Sequence, residues 1–278
     1  MNLLEITLLI LLISLVAGFL GSITGLGGGV VIIPVLALIF GVNIRYAIGA
    51  SLVSVIATSS GAAAAYVKEG FTNIRIGMFL EIATTIGALV GAHLTTMISP
   101  SVIAIIFGAV LVYSAIISFR IKKRGDGDGT SGKLAKILKM DSSLPTPEGQ
   151  RFYHVRRVPG GFGMMVIAGG LSGLLGIGSG AFKVLAMDKI MRIPFKVSTT
   201  TSNFMIGVTA AASAGIYLNK GLIDPGLAMP VMIGVLIGSF VGTKVLARTS
   251  SKILRRVFAV IILVMAFEMI FNGITGRI

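Results

Sequence analysis

Two glycine-rich segments, residues 25–29 and 176–180, interrupt apolar stretches and read Gly-Leu-Gly-Gly-Gly and Gly-Ile-Gly-Ser-Gly. Glycine lets an apolar helix break and uncover backbone N–H groups that a regular helix would hide. A helix that restarts after the break directs its N-terminal N–H groups and dipole at the gap, which favours an anionic ligand. We therefore predict an anion site lined by Gly27, Gly28, Gly29, Gly178, Ser179 and Gly180. Close helix packing is the alternative role for these glycines.

Lys183 places a positive charge in an apolar stretch, three residues beyond the second glycine segment. An ammonium inside a membrane costs about 3 kcal/mol or more, so an intramembrane lysine is a candidate for function. We predict that Lys183 attracts the anion. The alternative is a lysine that extends to the membrane surface, near Asp188 and Lys189.

Hydroxyl and amide side chains occur in the stretch that follows each glycine segment. Such groups can replace the water shell of a solute, or they can bond to carbonyls of their own helix. We predict that Ser51, Thr58, Ser202, Asn203 and Thr209 contribute to substrate binding.

Glu81 lies within another apolar stretch, between Leu80 and Ile82. A carboxyl there can carry a coupling proton, and a neutral hydrogen-bonding or counter-ion role is the alternative. With two histidines, no cysteine and few such acids, the chain lacks an evident catalytic or metal-binding constellation. We expect no enzyme activity, no bound metal and no cofactor.

An internal repeat relates these residues at an offset of 151 positions, the separation of Gly25 and Gly176. The offset persists without a gap for roughly a hundred residues. It pairs Ser51 with Ser202 and Thr58 with Thr209, whereas Lys183 meets Ile32 and Glu81 meets Met232. The hydroxyls are therefore duplicated, and the two charges are not.

The composition indicates a membrane protein: 55% of the 278 residues are hydrophobic and 12% are charged. Apolar runs such as residues 74–94 and 102–119 reach or approach the ~20 residues that span hydrocarbon as a helix. A net charge of +14 fits nucleic-acid binding in a soluble chain, but it also arises from basic cytoplasmic loops. We expect a lipid bilayer as the partner, and no nucleic acid.

The polar segment 120–159 carries ten Lys or Arg residues against four acids, which predicts a cytoplasmic location. Within it, residues 133–140 alternate basic and apolar side chains like a short interfacial helix. About fifteen apolar residues precede Gly176, and Lys183 and Asp188 interrupt the stretch that follows the glycine segment. We interpret the two stretches as the arms of a hairpin, and neither arm is a comfortable span of the membrane. If this hairpin returns to the cytoplasmic side of the membrane, the basic clusters that follow it in the sequence also lie in the cytoplasm.

The predicted fold is therefore an all-α polytopic membrane protein with two inverted-topology repeats, each a broken glycine-rich hairpin plus three transmembrane helices. The first repeat covers residues 1–119, the interrepeat loop 120–159 and the second repeat 160–278. Both termini are expected outside a prokaryotic plasma membrane. Glycines four residues apart at Gly87 and Gly91, and at Gly238 and Gly242, favour packing within the chain, with homodimerisation as the alternative.

The paired motifs carry a family resemblance: Ala50-Ser51-Leu52 and Thr201-Ser202-Asn203 follow the glycine segments, and Tyr66-x-x-x-Gly70 matches Tyr217-x-x-x-Gly221. With these elements the chain resembles the sulfite exporter family, TauE/SafE type. The resemblance implies outward transport of sulfite, a sulfonate such as sulfoacetate, or a related organic anion, coupled to an ion gradient. Two departures are Ser179 in place of a glycine and Leu185 where the first half has Pro34.

Together these features predict a secondary transporter, an exporter of a small anion bound between the two repeats. The coupling ion is expected to be H⁺ or Na⁺. A passive anion-selective channel is the alternative, because exposed N–H groups and a lysine select anions without coupling.

Overall fold

A computed structural model of the chain describes residues 3–24, 28–68, 71–120, 130–146, 149–246 and 251–278. The described part is mainly helical, which confirms the all-α prediction. The first half contains α1 (Leu3–Thr24), α2 (Gly29–Leu38), α3 (Ile44–Lys68), α4 (Ile74–Leu94) and α5 (Pro100–Arg120). The second half contains α7 (Val158–Leu175), α8 (Gly180–Leu185), a π-helical turn (Ala186–Ile190), α9 (Phe195–Asn219), α10 (Pro225–Leu246) and α11 (Ser251–Ile274).

Helix α4 shows the surface expected of a membrane helix. Met78, Ile82, Ile86 and Val90, spaced by one turn, are 52–63% exposed. The opposite face buries small or apolar residues against the protein. Apolar side chains therefore point outward as well as inward, as in a helix solvated by lipid. Among the described helices, α4 and α7 are long and apolar enough to cross a membrane by length and composition.

The helices of the two halves exchange packing partners. Helix α1 packs against α10, and α7, its repeat equivalent, packs against α4. Helix α3 packs against α9, and α5 against α11. Neither half therefore forms its packed core alone.

Glycines allow the closest of these helix approaches. A Cβ on Gly87 or Gly91 of α4 would lie 2.0 Å from a backbone oxygen of α7, and one on Gly238 of α10 would lie 1.9 Å from Leu15 O in α1. The predicted packing role within the chain is confirmed at these three glycines. The Gly242 environment lies outside the described side chains.

The second-half hairpin ends beside its own beginning. Met191, which follows the π-helical turn, lies beside the beginning of α7: its carbonyl accepts a 3.0 Å hydrogen bond from Arg156 N–H. Helix α7 is longer than expected from the sequence, with 18 residues, because it starts at Val158 with a proline in its first turn. By length and composition it could cross a membrane, and whether either arm spans stays a prediction. The other arm, α8 with its π-helical turn, remains short.

The interrepeat segment contains α6 (Lys133–Ile137) and an antiparallel hairpin of β1 (Ser142–Thr146) and β2 (Gly149–Tyr153). The predicted helix over residues 133–140 is thus too long, because the chain turns at Lys139 with a φ of 49°. The apolar side chains of Ala135, Met140 and Tyr153 are buried with residues of α4 and α7. The segment is therefore packed onto the helices.

Asp141 holds this segment together as a hydrogen-bond acceptor. It accepts hydrogen bonds from Ser131 Oγ and, at 2.9 Å, from Val155 N–H. Burial raises the pKa of the Asp141 carboxyl, but the hydrogen bonds from Ser131, Val155 and His154 together hold it below its usual value.

Polar contacts collect at the two ends of α4. At its start, Asn73 Nδ2 donates to Met140 O at 3.0 Å and to Tyr153 Oη at 2.8 Å, which ties α4 to the interrepeat segment. Beyond its end, Thr95 receives a 2.8 Å hydrogen bond from Tyr217 Oη of α9, and Arg45 Nε donates to Thr95 O at 3.1 Å. The end that holds the interrepeat segment is called the loop end below.

Candidate functional site

A chain of three polar side chains joins α8, α9 and α4 inside the protein. Lys183 Nζ donates to Thr209 Oγ1 at 2.5 Å, and Thr209 Oγ1 lies 2.6 Å from Glu81 Oε1. Lys183 and Thr209 are both 0% exposed, and Glu81 is 8% exposed. Lys183 therefore lies inside the protein, so the alternative of a lysine extending to the surface is wrong, and its attraction for an anion stays a prediction.

The geometry identifies Thr209 as a bridge between opposite charges. Its hydroxyl accepts from the ammonium and can donate its single proton to the carboxylate. Thr85 Oγ1 lies 3.4 Å from the same oxygen, Glu81 Oε1. The second carboxyl oxygen, Glu81 Oε2, is buried without a hydrogen-bond partner in the described part of the protein. Such an atom is costly to bury, so it marks a place where a further group or a proton would be stabilised.

Helix geometry explains why the three residues meet. Ser179 O accepts the N–H of Lys183 at 3.1 Å, which starts α8 and carries the lysine side chain one turn into the hairpin. Ser202 and Thr209, two helical turns apart, lie on one face of α9. Ser202 Oγ donates to Gly180 O at 3.3 Å, so this face of α9 follows α8 from its glycine start to Lys183.

The positions that the internal repeat pairs with these three residues hold no charge. There the repeat places Ile32, Thr58 and Met232 in the roles of Lys183, Thr209 and Glu81. Thr58 Oγ1 bonds to carbonyls of its own helix, Ser54 O at 3.0 Å and Val55 O at 3.2 Å. The duplicated sequence thus folds without a Lys-Thr-Glu chain, so these charges are an addition to the repeat.

The two glycine segments meet through Ser51. Its hydroxyl donates to Gly176 O in the other half at 2.8 Å, and a Cβ on Gly29 would lie 2.2 Å from the same hydroxyl and 3.1 Å from Gly176 O. Only glycine at position 29 leaves room for this contact. Both predicted segments therefore lie at one interface between the halves.

The second glycine segment adopts left-handed backbone at three of its five positions. Gly176, Gly178 and Ser179 have φ values of 65°, 69° and 43°. Ser179, the departure from glycine, donates its hydroxyl to Ala168 O at 2.6 Å, so its side chain holds α8 against α7. A tight reversal of this kind returns the chain towards the start of α7 and leaves the first N–H groups of α8 without partners in the helix.

The remaining predicted residues are placed differently. Gly28 precedes the first turn of α2 and accepts N–H groups from Val31 and Ile32 at 3.1 Å. Asn203 is half-buried, and its amide has no hydrogen-bond partner among the described residues. Thr58 makes only the contacts within its own helix given above. Gly27 lies outside the described residues.

Several residues at the helix ends were not predicted from the sequence. Asn73 and Tyr217 are buried and hydrogen-bonded across the halves, to Thr201 and Thr95 respectively. Tyr217 belongs to a duplicated Tyr-x-x-x-Gly motif. The motif supports the family resemblance, but it does not indicate which hydrogen bonds Tyr217 makes. Asn73 directly precedes an apolar run, as residues that cap helices do, and its side chain accepts Ile76 N–H.

Replacing Ser51 by Ala is expected to destabilise the protein more than replacing Ser202 by Ala, its repeat equivalent. The Ser51 hydrogen bond joins the halves at 2.8 Å, whereas the Ser202 bond is 3.3 Å long and stays within its half. A loss of about 1 kcal/mol would lower the melting temperature by roughly 2–4 °C. Thermal unfolding of both variants in detergent measures this, and equal shifts would contradict the bridging role.

Comparison with known proteins assigns the family. The family model for the sulfite exporter TauE/SafE matches residues 10–269. The chain is 24% identical over 274 residues to the probable membrane transporter protein YunE of Bacillus subtilis, covering 96% of this chain and 98% of that one. It is 27% identical over 240 residues to the probable membrane transporter protein YdhB of the same organism, covering 86% and 88%.

A probable membrane transporter protein of Methanocaldococcus jannaschii is 26% identical over 282 residues, with 94% of each chain covered. No solved structure matches the chain. The match of the family model over almost the whole chain, on a mainly helical fold with apolar outer faces, supports a location in the membrane and confirms the resemblance seen in the glycine motifs. The chain is a membrane protein of the sulfite exporter TauE/SafE family.

Proposed function

We propose that this protein is a secondary transporter that exports a small anion, namely sulfite, a sulfonate such as sulfoacetate, or a related organic anion. The observation that carries the proposal is a fully buried lysine, Lys183, beside the meeting point of two glycine segments from different halves. A buried ammonium, hydroxyls and uncovered N–H groups together provide the donors that an anion needs after it loses its water.

The family resemblance supports the substrate class, and the donors are compatible with it. A sulfonate or sulfite group offers three oxygens that accept hydrogen bonds, and the proposed site has donors on α8 and α9 of the second half and a hydroxyl from the first. We propose that the substrate binds at the interface between the halves, as in other transporters with repeated halves. We propose H⁺ or Na⁺ as the coupling ion.

An inverted arrangement of the halves accounts for the exchange of packing partners between α1 and α10 and between α7 and α4. The returning hairpin places Met191 next to the start of α7. An odd number of full crossings in each half then inverts the second half relative to the first. The loop end carries the exposed basic residues Arg75, Lys133, Lys136, Lys139, Arg151, Arg157, Lys189, Arg192 and Lys196.

We expect the loop end to be cytoplasmic and the termini to be outside, as the positive-inside rule requires. The chain has no cysteine, so a single introduced cysteine is a unique label. In intact cells, an impermeant thiol reagent should label Met97→Cys, at the far end of α4, and spare Gln150→Cys in the β-hairpin. Both positions are exposed, which makes the pair a matched test. Labelling of Gln150→Cys from outside would contradict the topology.

Substrate binding is tested by thermal stabilisation of the purified protein with sulfite, sulfate, thiosulfate, sulfoacetate and simple carboxylates. A ligand at one hundred times its dissociation constant stabilises the folded state by about 2.7 kcal/mol, which gives a measurable shift. We expect stabilisation by at least one sulfur oxyanion or sulfonate. No stabilisation by any of these anions would contradict the proposed function.

A further inference from the structure

The Lys-Thr-Glu chain places an ammonium and a carboxylate in one buried network. The two hydrogen bonds to Thr209 Oγ1 set an upper limit of about 5 Å on the distance between Lys183 Nζ and Glu81 Oε1. Both groups are more than nine-tenths buried. Because water screens little at such a place, the lysine is the principal cation that stabilises the carboxylate.

Within the described helices, no other titratable group lies where it could replace Lys183 or Glu81. Helix α7, packed against α4, carries none between Val158 and Leu175. Other groups on the surrounding elements lie at helix ends or at the surface: Arg75, His93, Tyr113, Asp188, Lys189, Lys196 and Tyr217. Asp188 and Lys189 pair with each other at 3.1 Å.

An anion bound to Lys183 competes with Glu81 for the same positive charge. A buried carboxylate that loses its cation is destabilised by several kcal/mol, unless it becomes neutral. The unpartnered oxygen, Glu81 Oε2, is available to receive a proton. Protonation turns the carboxylate into a carboxylic acid, with one proton taken from water and no other covalent change.

We propose that Glu81 takes up a proton when an anion binds Lys183, so that the protein binds one anion and one proton together. The inference rests on the proposed function and specifies its coupling ion as H⁺ and its coupling residue as Glu81. Export of the anion together with a proton is then driven by the outward concentration gradient of the anion, because an inwardly directed proton gradient opposes the joint exit. Linkage is reciprocal, so a proton on Glu81 also frees Lys183 and strengthens anion binding. Thr209 is the positioning residue that lets the two charges meet.

The internal repeat provides an independent argument. The positions equivalent to Lys183, Thr209 and Glu81 are Ile32, Thr58 and Met232, which carry no charge. A buried ion pair seldom stabilises a protein more than apolar residues of similar volume would. The two charges, Lys183 in the second half and Glu81 in the first, are therefore better explained by ligand binding than by stability.

Titration calorimetry of the purified protein tests the proposal with sulfate, thiosulfate and sulfoacetate, which carry no group that titrates near neutral pH. Measurements at about pH 7.5, in buffers that differ in ionisation enthalpy, give the number of protons bound with the anion. We expect an uptake that approaches about one proton per anion, and an affinity that falls by up to about tenfold per pH unit as the pH rises.

Glu81→Gln is expected to bind the anion without proton uptake and with an affinity that does not depend on pH. Glu268→Gln, which removes an exposed carboxyl in α11, should behave like the wild type. An infrared difference spectrum of the wild type should show a new protonated-carboxyl band when the anion binds. This measurement is independent of whether the Glu81 variant folds.

The outcomes separate the two proposals. Anion binding by the wild type without proton uptake and without the carboxyl band overturns the coupling inference and leaves the proposed function. Proton uptake that persists in Glu81→Gln overturns the assignment to this residue. Failure of all three anions to bind overturns the proposed function for this substrate class, and the inference with it.

Discussion

Replacing Lys183 by Met is expected to lower the affinity for the anion roughly tenfold to a hundredfold, because a charged hydrogen bond contributes about 1.5–3 kcal/mol. Methionine keeps most of the side-chain length and removes the charge. Arginine at this position should retain more affinity than methionine, since it keeps the charge. Binding isotherms of the purified variants measure the effect.

The same substitution leaves Glu81 without its cation, so a loss of stability must be separated from a loss of binding. Removing one member of a buried pair costs about 3–5 kcal/mol. The double variant Lys183→Met/Glu81→Gln should recover most of the melting temperature and none of the affinity. Lys189→Met, which removes an exposed lysine of the same hairpin, should change neither property. Unchanged affinity in Lys183→Met would show that helix N-termini alone hold the anion.

Gly173→Ala is expected to destabilise the contact between α7 and α4 by at least about 1–3 kcal/mol, because the added methyl overpacks the interface. The new Cβ would lie 2.0 Å from Ala88 O and 2.8 Å from its carbonyl carbon. These are backbone atoms, so relief requires the helices to separate. Loss of monodisperse protein on gel filtration, or a large fall in melting temperature, is the expected result.

Gly163→Ala is the matched control for this prediction. It lies in the same helix, and a Cβ there would meet nothing within 4 Å. Alanine also favours helix over glycine by up to about 1 kcal/mol, so this variant should be as stable as the wild type or slightly more stable. Equal melting temperatures for the two variants would contradict the close approach of α4 and α7.

Much of the architecture could be predicted because membrane helices have simple sequence requirements. Long apolar runs predicted the helices, and the duplicated glycine segments predicted two related breaks. The returning second hairpin was inferred from charge, because only a hairpin that returns puts Lys189 and Arg192 on the same side of the membrane as the interrepeat segment. The length of α7 was underestimated, because Val158 and Pro159 form its first turn but directly follow the polar residues of the interrepeat segment.

The residues of the candidate site could be predicted from the sequence, but the contacts between them could not. Lys183 and Glu81 stood out because charges are rare in apolar stretches, but their separation of about a hundred positions gives no sign that Thr209 joins them. The contact of Ser51 with Gly176 O also crosses between the halves, beyond the reach of helical periodicity. The β-hairpin was missed because its strands are largely polar, one of them contains a proline, and both lack the alternating pattern of a buried sheet.

The central claim, that the protein is a secondary transporter and not a channel, is tested most directly by counterflow in proteoliposomes. Vesicles are loaded with unlabelled sulfoacetate, the membrane potential is clamped at zero with potassium and valinomycin, and labelled sulfoacetate is added outside. A transporter that alternates between two faces should transiently accumulate label above its outside concentration, and Lys183→Met should not do so at the same anion concentration. Label that rises only to equilibrium in the wild type would contradict the account and favour a passive channel.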